Sequence, residues 1–107
     1  MAIFHHKNII FFLNRKLSFS STLFYTDYGY PPKIGSAWLD GSNMKDILTE
    51  ELIFPTGIAA DYLNQRLYFV DTKRHTVETI RYDGSDRQIV KLFDGKSIHY
   101  IKLSKYR

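Results

Sequence analysis

Between residues 23 and 92 the chain alternates short runs of β-branched, aromatic and aliphatic residues with polar turns, and no apolar helical face runs longer than two turns. Segments 23–27, 66–71 and 76–82 are short and rich in residues that favour a pleated surface. Asp40-Gly41 and Asp83-Gly84 each supply a hairpin turn, the glycine taking the positive φ that tight hairpins need. Tyr30-Pro31-Pro32 blocks a helix across it. Pro55-Thr56-Gly57 opens a further strand ending at Asp61, and Tyr62-Leu63-Asn64-Gln65 turns the chain back into 66–71. The pattern predicts strands at 23–27, 33–39, 45–49, 57–61, 66–71, 76–82 and 87–92.

These elements repeat. Leu23-Phe24-Tyr25-Thr26-Asp27 returns as Leu67-Tyr68-Phe69-Val70-Asp71 at an offset of 44, and Leu39-Asp40-Gly41-Ser42 as Tyr82-Asp83-Gly84-Ser85 at an offset of 43. The one-residue difference falls at Tyr30-Pro31-Pro32, where a turn absorbs an insertion. A period in the low forties fits a propeller blade, an armadillo-type helical repeat or a long hairpin array, and the strand signals select β. One unit then reads as four antiparallel strands over 57–92. The preceding unit supplies three strands over 23–49, and its first strand belongs within 8–19, where no Pro-x-Gly signal stands.

Charge narrows the picture. The 107 residues carry 15 Lys and Arg against 11 Asp and Glu, a net +4 and a basic balance that suggests an anionic partner. Residues 1–22 carry +3 and residues 96–107 carry +4, whereas residues 23–95 hold all 11 acids and a net −3. No basic stripe lies on the repeats, which argues against nucleic acid. There is no cysteine, which excludes a disulfide scaffold and any Cys-ligated zinc or iron–sulfur site. The apolar run at 9–13, preceded by Lys7, is too short for a membrane span and has no A-x-A site after it, so it reads as neither a transmembrane segment nor a signal peptide.

Phe24-Tyr25-Thr26-Asp27, Tyr68-Phe69-Val70-Asp71, Pro55-Thr56-Gly57-Ile58-Ala59-Ala60-Asp61-Tyr62, Arg66-Leu67-Tyr68 and both Asp-Gly-Ser turns resemble the YWTD repeats, or class B repeats, of the low-density-lipoprotein receptor family. The stretches from Ser36 to Gly41 and from Val77 to Gly84 resemble most closely those of megalin-type receptors. Tyr25 and Phe69 stand where the family has Trp, and Val70 where it has Thr. The resemblance implies an all-β fold, part of a six-bladed YWTD β-propeller: one full four-stranded blade plus three strands of the preceding blade. It divides the chain into an unmatched N-terminal flank at 1–22, a partial blade at 23–53, a complete blade at 54–92 and an unmatched tail at 93–107. The abrupt start and stop imply a segment of a larger receptor, with blade faces left open on both sides. By resemblance its partners are protein ligands and adjacent EGF-like modules, and its place is the extracellular part of a cell-surface endocytic receptor. A Wnt co-receptor or a basement-membrane protein carries the same repeats, and a propeller hydrolase is the alternative of another class.

Motif residues read as architecture: Phe24, Tyr25, Thr26, Asp27, Pro55, Gly57, Asp61, Tyr68, Phe69, Asp71, Asp40, Gly41, Asp83 and Gly84. Asp27 and Asp71 occupy equivalent strand ends, where a carboxylate accepts N–H bonds from the following turn. Neither Asp-Gly-Ser turn is a calcium loop, because Lys45 and Gln88 stand where that loop needs Gly. His5, His6, His75 and His99 lack metal-ligand spacing, and His5-His6 is expected in an irregular terminus. His75, in the turn after Asp71, reads first as a plain exposed loop histidine, with a response to endosomal pH as the alternative. No nucleophile elbow or phosphate loop appears, so no catalytic residue, metal or cofactor is assigned. Ligand contact is assigned instead to loop aromatics and a basic turn: Tyr28, Tyr30, Trp38, Lys73, Arg74 and His75, with Phe54 nearer to inter-blade packing.

Overall fold

The computed structural model describes residues 22–93 throughout and, before them, the strand backbones Ala2–His6 and Ile9–Asn14. The described residues hold nine strands and no helix: β1 (Ala2–His6), β2 (Ile9–Asn14), β3 (Thr22–Asp27), β4 (Lys33–Trp38), β5 (Lys45–Leu48), β6 (Pro55–Asp61), β7 (Arg66–Asp71), β8 (Thr76–Arg81) and β9 (Gln88–Leu92). They form two antiparallel meanders, a five-stranded sheet β1-β2-β3-β4-β5 and a four-stranded sheet β6-β7-β8-β9. Antiparallel neighbours in sequence need only short turns, which is what the Asp-Gly-Ser, Tyr62–Gln65 and Thr72–His75 stretches supply.

The second sheet follows the predicted strands closely. Its first strand begins at Pro55, where a residue without an N–H group costs the ladder nothing. Strands β4 and β8 stop one residue short of the predicted ends, because the turn captures their last residues. Trp38 donates to the Ser42 carbonyl and Arg81 to the Ser85 carbonyl, at 2.8 and 2.9 Å. The first sheet is wider than the repeat pattern indicates. Strand β2, in the window lacking a Pro-x-Gly signal, pairs with β3 from Ile9↔Asp27 to Asn14↔Thr22 and satisfies the backbone of its inner edge. Strand β1 then pairs with β2, so His5 and His6 stand in a ladder rather than in an irregular terminus. The C-terminal tail, with His99, lies outside the described residues.

The core forms where the sheets face each other. Period-2 alternation along β7 turns Leu67 and Phe69 to one face, with Ile80 opposite Leu67 on β8 and Ile58 opposite Phe69 on β6. These side chains are fully buried and join Phe24 and Ile34 of the first sheet. Each such burial contributes about 1.5–3 kcal/mol. Tyr82 extends the contact, its ring 4.6 Å from that of Phe24. The outward faces, expected to stand open, are shielded at their centres. Tyr25 lies flat over Gly35, where an added Cβ would sit 2.6 Å from its hydroxyl oxygen, and only 4% of Tyr25 is exposed. On the outward face of the second sheet Val70 is fully buried.

The two Asp-Gly-Ser turns have one internal geometry and two surroundings. In each, the Asp carboxylate takes the amide and hydroxyl of the Ser two residues on, and the Gly lies at φ +88°. A Cβ on Gly84 would meet the Ile47 carbonyl oxygen of β5 at 2.6 Å, whereas one on Gly41 would meet nothing within 4 Å. Gly41→Ala should therefore cost only the backbone strain of positive φ, about 1 kcal/mol. Gly84→Ala should cost about 1–3 kcal/mol more, because the sheets must separate to admit the methyl group. Urea denaturation of the two variants checks this ordering. Burial pushes the Tyr82 hydroxyl up to about 12, with the charge of Asp61 adding to it. A group raised in the folded state stabilises fully below its unfolded value near 10 and loses that contribution as pH rises towards 12. Urea midpoints should fall between pH 10 and 12, and Tyr82→Phe should flatten the fall.

Candidate functional site

Antiparallel order sends the ends of β3, β5 and β7 and the starts of β4, β6 and β8 to one edge of the molecule. Three connections gather there: the loop 28–32, the linker 49–54 and the turn 72–75. The turns 39–44, 62–65 and 82–87 lie at the opposite edge.

Asp71 organises the first edge. Its carboxylate is fully buried at the end of β7. It accepts the amides of Ile53 (2.8 Å) and Phe54 (3.0 Å) from the linker. It also accepts the amides of Lys73 (3.2 Å) and Arg74 (3.0 Å) from the turn that follows. Thr72 completes the tie, its amide donating to the Phe54 carbonyl at 3.1 Å. A buried carboxylate is costly unless its lone pairs are met, and four N–H groups meet them here. At the equivalent end of β3, Asp27 accepts the amide of Gly29 at 2.9 Å.

Pinned in this way, Phe54 becomes the centre of a small platform. The Tyr28 ring packs on it at 4.8 Å between centroids, from the loop of the first sheet. The Lys73 ammonium lies 5.9 Å from its centroid, from the turn of the second. A cation at that range is drawn to the ring face. Tyr30 stands beside this platform in sequence and is 99% exposed. His75, at φ 60°, is exposed, with its ring 6.0 Å from that of Phe93. Aromatic rings and an adjacent cation are residue types enriched at protein interfaces.

The edge thus gathers Tyr28, Tyr30, Lys73 and His75 together with Phe54. It does not gather Trp38, which is half-exposed at the opposite edge near the exposed side chains of Leu39 and Met44. Arg74 turns inward instead, its Nε 3.7 Å from Oε2 of Glu78. Sequence reasoning passed over Glu78 and Arg87. The signal was a lone Glu on the alternation face of Phe69 and Ile80, a position that needs a cation partner once buried. Among the described residues, no group of three or more His, Asp or Glu stands together as a metal site, and no helix is long and apolar enough to cross a membrane.

Two antiparallel meanders packed face to face, repeating at a period in the low forties, are the arrangement of β-propeller blades. Residues 21–62 match the family described as low-density lipoprotein receptor repeat class B. It is 43% identical over 77 residues to the vitellogenin receptor of Drosophila melanogaster, covering 72% of this chain and 4% of the receptor. It is 40% identical over 68 residues to the vitellogenin receptor of Solenopsis invicta, covering 64% of this chain and 4% of the receptor. Among solved structures it is similar to a chain of a nidogen/laminin complex, with a TM-score of 0.64, 29% identity, and coverage of 68% of this chain and 27% of that one. The chain therefore spans a small part of each of these relatives.

Asp71→Ala should cost about 3 kcal/mol, since four part-buried amide donors lose their acceptor. Asp40→Ala, in an exposed turn, should cost about 1 kcal/mol or less. Urea denaturation of both variants measures the difference.

Proposed function

We propose that this chain is a non-enzymatic, ligand-binding propeller segment of an extracellular endocytic receptor of the vitellogenin-receptor type. Its ligand is a polypeptide that docks on the edge formed by loop 28–32, linker 49–54 and turn 72–75. One observation carries the reading: Tyr28, Phe54 and Lys73, from three different connections, meet in one cluster at that edge. Loops on a rigid sheet scaffold are the usual place for recognition, because their side chains vary without disturbing the fold. The likeness to two vitellogenin receptors supports the receptor role and suggests vitellogenin as the probe. The nidogen likeness favours a second reading, an extracellular-matrix module, for which laminin is the probe.

Immobilised 107-residue chain should retain purified vitellogenin in biolayer interferometry. Tyr30→Ala and Lys73→Glu should each weaken that binding about fivefold or more, as truncation of a contact worth at least 1 kcal/mol does. Trp38→Ala, at the opposite edge, should leave it within about twofold. Retention of laminin with no retention of vitellogenin would transfer the assignment to the matrix reading. Binding indifferent to Tyr30 and Lys73 would remove the docking edge from it.

A further inference from the structure

The linker 49–54 belongs to neither sheet, and its backbone is tied at both ends by side chains of the second repeat. Asp71 holds the later end through the amides of Ile53 and Phe54. A single side chain, Arg87, holds the earlier end. Its Nη1 donates to the Glu50 carbonyl at 2.9 Å and its Nη2 to the Glu51 carbonyl at 2.7 Å. Between them Glu51 takes φ 52°, the left-handed region that a bulky side chain disfavours, so this stretch needs an external tie.

What aims Arg87 is a buried carboxylate. Its Nε donates to Oε1 of Glu78 at 2.7 Å, and Glu78 is 1% exposed. The other oxygen of Glu78 accepts the Thr76 hydroxyl at 2.7 Å and faces Arg74 Nε at 3.7 Å. The Arg87 guanidinium also lies 5.7 Å from the Phe69 ring centroid. One planar group therefore serves a carboxylate and two carbonyls at once, and a lysine ammonium, with its point charge on a flexible stem, cannot reproduce the fork.

The first repeat supplies the contrast. The offset of 43 that relates Gly84 to Gly41 puts Gly35 at the place of Glu78 and Met44 at the place of Arg87. Gly35 makes room there for Tyr25, and no carboxylate aims the Met44 side chain, which is exposed. Of the two repeats, the pair belongs to the one whose linker carries Phe54.

We propose that Arg87 is a positioning residue for the docking edge: aimed by Glu78, it latches Glu50 and Glu51 and so sets Phe54 against Tyr28 and Lys73. The binding half of this inference rests on the edge being the docking surface; the latch does not.

Single-residue amide hydrogen exchange by NMR on the full chain tests the latch without any ligand. Arg87→Lys should speed exchange at Ile53 and Phe54 about tenfold, while Leu67, Val70 and Ile80 change less than about threefold. Glu78→Gln keeps Arg87 and an acceptor for its Nε, and should retain most of the protection that Arg87→Lys loses. Arg87→Lys should also weaken vitellogenin retention about fivefold or more, although Arg87 lies outside the platform. Unchanged exchange at Ile53 and Phe54 would overturn the latch. So would equal acceleration along β7 and β8, which would make Arg87 a general support of the fold. If the wild-type chain retains no vitellogenin, the docking edge fails while the exchange result still decides the latch.

Discussion

Everything in this structure depends on one sheet face needing cover. Leu67, Phe69 and Ile80 alternate onto one side of the second sheet and leave water only by packing against Phe24 and Ile34 of the first. A lone four-stranded meander with that face bare would be poorly stable, and stacking neighbours is how repeat architectures solve the problem. The close approach this requires reaches into the turns. Gly84 is placed where the Ile47 carbonyl leaves no room for a side chain, and Tyr82 where the Phe24 ring receives it.

The connection between the sheets inherits the same constraint. Once the faces meet, residues 49–54 must cross from the outer strand of one sheet to the inner strand of the next without a ladder of their own. Their polar backbone groups then need partners from side chains. Asp71 and Arg87 supply them, the first as an acceptor for two amides and the second as a donor to two carbonyls. Asp71 works against part-buried amides, where a missing partner is expensive, whereas the two carbonyls that Arg87 holds are exposed and the bonds to them are charge-assisted. The aromatic cluster at this edge follows: Asp71 ties the Phe54 amide, and the half-buried Phe54 ring meets Tyr28 and Lys73.

The repeats share sequence with two vitellogenin receptors and a fold with a chain of a nidogen/laminin complex, and the two copies also differ from each other. Asp27 and Asp71 repeat, as do the two Asp-Gly-Ser turns. Gly35 and Glu78 do not: one makes space for an aromatic ring and the other buries a charge. An ion pair this deep is weak support for stability by itself, since desolvation offsets much of the attraction. Its consequence lies in direction, because it points the guanidinium at the linker.

Seven strands were legible in the sequence, because period-2 alternation and turn residues are local signals that survive without tertiary context. The repeat offsets carried the fold class for the same reason: equivalent positions keep equivalent chemistry. The first strand of the preceding unit was placed within 8–19, and β2 stands there although its apolar run carries no Pro-x-Gly signal. Strand β1 was not legible, and only its pairing with β2 makes a strand of it. Candidate contact residues were legible as residue types but not as a surface. Sequence put Trp38 and Tyr28 in one class, and the antiparallel order sent them to opposite edges. The Arg87–Glu50–Glu51 tie spans 36 and 37 residues, so no window of sequence contains it. Sequence by itself determined which segments form strands and which turns close them, since those choices rest on backbone propensity and spacing. Only the tertiary structure decided which loops share an edge and which charges meet, since those depend on how two sheet faces pack to exclude water.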